Sequence, residues 1–136
     1  MNVTGKCFCG HISYKAKIDP NLVFICHCSD CQEHSGTAFG FIAGVVDEQF
    51  HLLTGKLKAI GKVSAAGNNR DLTFCPECGT RIYAKSADEK PGFFGLRCGT
   101  IEQRNELSPK AQLWCRSAQS WAILESIPKI EKQPEI

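Results

Sequence analysis

Nine cysteines in 136 residues constrain this chain more than any other feature of it. An odd number cannot all pair within one molecule. They are also grouped: Cys7 and Cys9, then Cys26, Cys28 and Cys31, then Cys75 and Cys78, with Cys98 and Cys115 standing alone. The N-terminal MNVTGKCFCG has no apolar stretch of the kind that opens a secretory signal, so the expectation is a cytoplasmic protein. The sequon Asn2-Val3-Thr4 then reads as accidental. In a reducing compartment, cysteines at this density hold metal more often than they form structural disulfides.

The rest of the composition bounds the fold. With 43% hydrophobic and 22% charged residues, the chain is long enough for one domain and one core. A formal charge of +2 argues against a nucleic-acid or membrane-surface partner. The longest apolar run, residues 38–46, falls far short of the roughly 20 residues a membrane-spanning helix needs.

Periodicity is that of strands. Over residues 11–18 every second residue is apolar, the two-residue repeat of a half-buried strand. Residues 38–46 alternate bulky and small side chains. Segments 50–53 and 56–60 flank Thr54-Gly55, which predicts a hairpin or tight loop. Further short strands are expected near 72–74, 81–84, 93–97, 113–116 and 120–124. A single helical turn fits 29–35, and the proline-bearing end, residues 128–136, reads as a surface tail after a domain spanning 1–127. The fold class is therefore mainly β: a single domain of short, mostly antiparallel strands that metal can tie together.

Each cysteine group has its own chemistry. Cys75-Pro76-Glu77-Cys78-Gly79 is a knuckle, a tight turn that brings two thiolates to one point and closes through a glycine free to adopt positive φ. Cys7-Phe8-Cys9-Gly10 can supply the other two ligands of a tetrahedral structural zinc, provided the segment bends. A flat strand holds residues i and i+2 about 6.6 Å apart, whereas sulfurs on one zinc lie about 3.8 Å apart. Redox dithiol chemistry at Cys75 and Cys78 is disfavoured by the absence of a βαβ pattern.

Cys26-His27-Cys28-Ser29-Asp30-Cys31 offers three thiolates and no fourth. Catalytic zinc sites commonly keep three protein ligands and an open position. Closure by Cys98 or Cys115 stays open as an alternative, as does one polynuclear centre of all seven clustered cysteines. His27 and His34 are candidates for a fourth ligand, a supporting residue or a base, with a supporting or simply solvated role favoured for both. Core packing is the default for Cys98, Cys115, Trp114, Trp121 and the eight phenylalanines, with walling of a pocket over the second zinc the alternative for some of the aromatics.

The order C-x-C-G, C-H-C-x-x-C, Ser35-Gly36, F-C-P-x-C-G-T and a late Gly99-Thr100 resembles the glutathione-dependent formaldehyde-activating enzyme family, which also includes centromere protein V. The likeness runs from Gly5 to about Trp121. It implies several coiled β-sheets and two zinc ions per chain. Cys7, Cys9, Cys75 and Cys78 correspond to the structural ligands, and Cys26, Cys28 and Cys31 to those of a second, catalytic-type zinc. One departure is Gln112, where the family often has histidine.

The resemblance implies a carbon–sulfur lyase acting on a thiol–aldehyde adduct, with glutathione and formaldehyde or a related small aldehyde as partners. A zinc-stabilised binding module without catalysis is the alternative. Seven thiolates and two Zn²⁺ would take the formal charge from +2 to −1, so the slight basic excess vanishes in the loaded protein.

Overall fold

The structure is a computed structural model that describes residues 1–64, 67–88 and 93–133. It is built from two sheets and one short helix. Strands β1 (Asn2–Lys6), β2 (Ser13–Lys17) and β5 (Phe50–Thr54) form a three-stranded antiparallel sheet in the order β1-β2-β5. The larger sheet comprises β3 (Val23–Cys26), β4 (Gly40–Val46), β6 (Lys58–Val63), β7 (Asn69–Phe74), β8 (Arg81–Ser86), β9 (Phe93–Arg97) and β10 (Ala111–Leu113). Its seven strands run in the order β10-β3-β4-β9-β8-β7-β6. Every pair is antiparallel except β10 with β3. The mainly β reading therefore holds, with two sheets carrying the fold.

Alternation explains how the sheets meet. In β2, Tyr14 and Ala16 are buried while Lys15 and Lys17 face out. Tyr14 stacks on Phe50 within the small sheet at 4.9 Å between ring centroids, and Phe50 meets Tyr83 and Phe94 of the large sheet at 5.3 and 5.7 Å. Phe50 thus joins the two sheets through edge-on aromatic contacts. Gly5, opposite Tyr14 in the β1–β2 register, leaves room for that ring: a Cβ there would stand 2.1 Å from Tyr14 Cζ. The ring's hydroxyl donates to Thr100 Oγ1 at 2.7 Å, and Thr100 donates onward to the Arg97 carbonyl.

Three local expectations are corrected. Thr54-Gly55 does not turn a hairpin, because β5 pairs with β2 while β6 pairs with β7. The turn is captured by residue 11 instead: Thr54 Oγ1 donates to the His11 carbonyl and Lys56 N–H donates to His11 Nε2. Gly55, at φ 85°, packs so close to that carbonyl that a Cβ would lie 2.3 Å from it. The chain therefore leaves the small sheet and enters the large one.

The strands expected at 113–116 and 120–124 are also different. β10 ends at Leu113, Trp114 takes a left-handed backbone (φ 57°), and 3₁₀ turns follow at Cys115–Ser117 and Ser120–Ala122. The backbone of Leu124 is bound by the side chain of Gln112 rather than by a strand. Finally, Trp121 is 76% exposed and Phe8 is 93% exposed, so neither packs the core.

Residues 128–132 are bound to β10 and Trp114: Gln112 N–H donates to the Pro128 carbonyl, Ile130 N–H to the Gln112 carbonyl and Trp114 N–H to that of Lys132. The tail from 128 onward is thus a surface strap laid along β10, and residues 134–136 lie outside the described ones. Among the described residues no helix is long and apolar enough to cross a membrane.

Candidate metal centres

The turn after β1 and the turn between β7 and β8 bring Cys7, Cys9, Cys75 and Cys78 together, with all four sulfurs within 4.8 Å of one another. Cys7 and Cys9 Sγ are 3.6 Å apart, and Cys9 and Cys75 Sγ 3.8 Å. Those are the edges of a tetrahedron about 2.3 Å from its centre, so the set fits zinc. Gly10, at φ 83°, supplies the bend that converges the two N-terminal side chains.

Backbone amides turn onto the sulfurs: Ile12 N–H donates to Cys7 Sγ at 3.2 Å and His11 N–H to Cys9 Sγ at 3.5 Å. Thr80 joins the two halves. Its hydroxyl accepts from Phe8 N–H at 3.1 Å and lies 3.1 Å from Cys78 Sγ. That hydroxyl donor holds the Cys78 thiol well down, to about 5.

The second cluster is local. Cys26 ends β3, Cys28 caps the helix α1 (Ser29–Ser35), and Cys31 lies in its first turn. The Cys28 sulfur accepts from Cys31 N–H at 3.2 Å, so the capping residue of the helix is itself a candidate ligand. The three sulfurs lie within 4.8 Å of one another.

Their protonation is unequal. Hydrogen bonds from Cys26 and then Cys28, together with the charge of Arg97, pull the Cys31 thiol far down. Cys26, the donor to Cys28 and Cys31 and largely buried, is pushed up. The three sulfurs lie close enough together to share one cation.

No fourth side chain joins this trio among the described residues. Cys98 is buried in the core, as its strand context implies, and burial pushes its thiol up to about 12. Cys115 is only half-buried and donates its thiol to the Gln112 carbonyl at 3.5 Å, outside both clusters. None of the nine cysteines forms a disulfide.

His27 is fully buried behind the trio, its ring edge against Phe39. Gln112 fixes it. The Gln112 amide nitrogen donates to the carbonyls of Leu124 and Ile127, so its Oε1 accepts from Leu124 N–H and from His27 Nε2–H at 3.0 Å. Gln112 thus supports the loop that carries Cys26 and Cys28 and ties it to the C-terminal strap.

A cavity of about 720 Å³ opens beside the trio, lined among others by Cys28, Cys31, His34, Arg81, Arg97 and Trp114. Arg81 Nε donates to His34 Nε2 at 2.7 Å and its Nη1 to the Gly79 carbonyl at 2.8 Å, linking this cavity to the four-cysteine knuckle. Burial first, then the charges of Arg81 and Arg97, lower the His34 pKa to about 4. Arg97 pairs with Ile42 across β9 and β4, and its guanidinium reaches over Gly40, two residues away on the same face. A Cβ on Gly40 would lie 2.6 Å from Arg97 Nη1 and 3.3 Å from Cys31 Sγ. Lys62 and Asp30 close the rim with an ion pair at 3.3 Å.

Sequence reasoning missed Arg97, Arg81 and Gly40, and marked Gln112 only as a departure from a pattern. The one signal for Arg97 was its place next to Cys98 at the end of a strand.

Two sheets carrying two cysteine clusters, each of which could hold a metal ion, make this a mainly β protein with candidate metal sites. The profile of the family described as "Glutathione-dependent formaldehyde-activating enzyme" matches residues 2–117, and the chain belongs to that family. No curated protein matches it. A crystal structure of a Rhodobacter sphaeroides protein is similar in fold, with 17% identity and a TM-score of 0.58 over 73% of this chain and 87% of that one.

Proposed function

We propose that this protein is a zinc-dependent enzyme that makes or breaks the carbon–sulfur bond between a thiol and a small aldehyde, of the glutathione and formaldehyde type. The observation that carries the reading is the three-cysteine cluster, joined by no fourth side-chain ligand among the described residues and opening onto a cavity in a chain of this family. In the forward direction the sulfur of the thiol adds to the carbonyl carbon. The C=O π pair moves to oxygen, and the proton leaving sulfur ends on that oxygen; the reverse splits the adduct into thiol and aldehyde.

Cys26, Cys28 and Cys31 would hold the ion, and Cys7, Cys9, Cys75 and Cys78 a second one that is structural. A zinc ion held at the three-cysteine site would supply positive charge that lowers the pKa of a nearby thiol. Hydrogen bonds from Cys26 and Cys28, aided by the charge of Arg97, favour the Cys31 thiolate. Phe24, Ile42 and Leu72 make part of the cavity wall apolar. At about 720 Å³ the cavity has the size of a small-molecule site and takes a tripeptide thiol better than formaldehyde alone. A non-catalytic binding module would be expected to close its second metal site with a fourth protein ligand.

The test is exchange spectroscopy on glutathione and formaldehyde at equilibrium with their adduct. Zinc-loaded protein is expected to raise the exchange rate in proportion to its concentration. A rate equal to that without protein would sink the reading for this pair.

A further inference from the structure

We propose that Trp114 is a specificity-determining wall of the cavity beside the three-cysteine cluster, held in place by the C-terminal strap to pack against the peptide body of the thiol. The inference rests on the reading of that cavity as a thiol site and names the residue that takes the part of the thiol away from its sulfur.

The course of the backbone is the first reason. β10 is extended through Leu113, whose register partner on β3 is Cys26. Side chains alternate along a strand. Leu113 lines the cavity, while Gln112 bonds His27 and Leu124 on the other face. An extended residue 114 would fall on the face of Gln112, away from the cavity. Trp114 instead takes φ 57° and ψ 40°, and it lines the cavity together with Leu113. Among the described residues no other non-glycine has positive φ.

A left-handed backbone is costly for a bulky residue and persists only where its surroundings impose it. The strap imposes it here. Trp114 N–H donates to the Lys132 carbonyl at 3.0 Å, Cys115 N–H to that of Ile130 at 3.0 Å and Arg116 N–H to that of Glu131 at 3.3 Å. The indole Nε1–H donates to Gln133 Oε1 at 3.1 Å, and Gln133 lines the same cavity, so the edge of the ring is fixed on that wall. Trp114 is only half-buried and is not part of the hydrophobic core cluster, so core packing does not account for its strain.

What it faces does account for it. Cys28 and Cys31 line the same cavity. Small-molecule sites pair aromatic walls with a few polar groups, and the flat indole offers a planar surface to an amide. Formaldehyde is too small to meet both a metal site and this wall, whereas a peptide thiol extends well beyond its sulfur.

Calorimetry with S-methylglutathione on the zinc-loaded full chain tests the assignment. Glycine adopts φ 57° freely, so Trp114→Gly should keep the cooperative unfolding transition and yet weaken binding by about tenfold. Trp114→Phe should recover most of the affinity. Ile130→Pro removes the N–H donated to the Gln112 carbonyl, loosens the strap and should weaken binding as well. In Trp121→Phe protein Trp114 is the sole tryptophan, and its indole protons should show nuclear Overhauser effects to the glutamyl or glycyl protons of bound S-methylglutathione. Equal affinity in wild-type and folded Trp114→Gly protein would overturn the assignment, as would an indole without those effects at saturation. Wild-type affinity in Ile130→Pro would overturn the role of the strap. No binding to the wild-type protein would overturn the thiol-site reading and this assignment together. An exchange rate at background with Trp114-dependent binding intact would overturn the enzyme reading alone.

Discussion

The two cysteine clusters should differ sharply in what their loss does to folding, and substitution of one ligand in each measures that. In the four-cysteine cluster, Cys9 and Cys75 are 66 residues apart and belong to turns of different sheets. A metal there closes a long loop and clamps the small sheet to the large one. In the trio, Cys26 and Cys31 are five residues apart, on the end of one strand and the start of one helix. Loop closure alone makes the first clamp worth about 2 kcal/mol more against the unfolded chain, since loop entropy grows as (3/2)RT ln n.

The binding energy is larger still. Structural zinc contributes about 10–16 kcal/mol of apparent free energy, as much as the roughly 5–15 kcal/mol net stability of a domain. Cys75 is also fully buried in the core, so a serine hydroxyl there loses both a ligand and an apolar contact. Cys75→Ser is expected to lose the cooperative urea transition at 25 °C. Cys28→Ser is expected to keep it and to bind one zinc instead of two. The assay is denaturant unfolding followed by circular dichroism, with zinc counted by atomic absorption on the same samples. Equal loss of the transition in both variants would refute the division into a clamp and an open site.

Two further outcomes test the surroundings of the open site. Gln112→Ala removes the partner of buried His27 Nε2 and the side-chain bonds to the backbone of Leu124 and Ile127, so it should cost about 1–3 kcal/mol of stability and raise the amide exchange of Leu124; protection unchanged there would contradict the role of Gln112. His34 should titrate near 4 rather than at its ordinary 6.5, read from its ring ¹⁵N shifts. Because the folded value is the lower one, the unfolded chain binds this proton first. Stability from this group is therefore intact above about 6.5 and declines as pH falls toward 4, and a midpoint near 6.5 would refute the burial and the charges assigned to it.

The cysteine partition could be read from the chain because metal ligation is a short-range geometric problem. A C-x-x-C knuckle with a following glycine makes a site wherever it folds, and a C-x-C-x-x-C run places three sulfurs together within one turn. The same locality explains α1, whose cap is Cys28 and whose end is Gly36 at φ 69°. Alternation likewise marked most strands, since a half-buried strand must alternate whatever its neighbour is. The strands β1 and β3 escaped notice: NVTGK is mostly polar apart from Val3, and VFIC is too short and uniformly apolar to alternate.

Pairing is a different matter, because which strand lies beside which depends on contacts that no local pattern carries. Thr54-Gly55 has the composition of a hairpin turn, and the capture of its backbone by His11, more than forty residues earlier in the chain, sends the two flanking strands to different sheets. The open site shows the same limit. Arg81 meets His34 across 47 residues, and Gln112 meets His27 across 85. What the sequence by itself determined is the mainly β fold class and the two sets of cysteines. Only the tertiary structure decided what surrounds the open set, because donors distant in the chain acquire a shared purpose only when the sheets have packed.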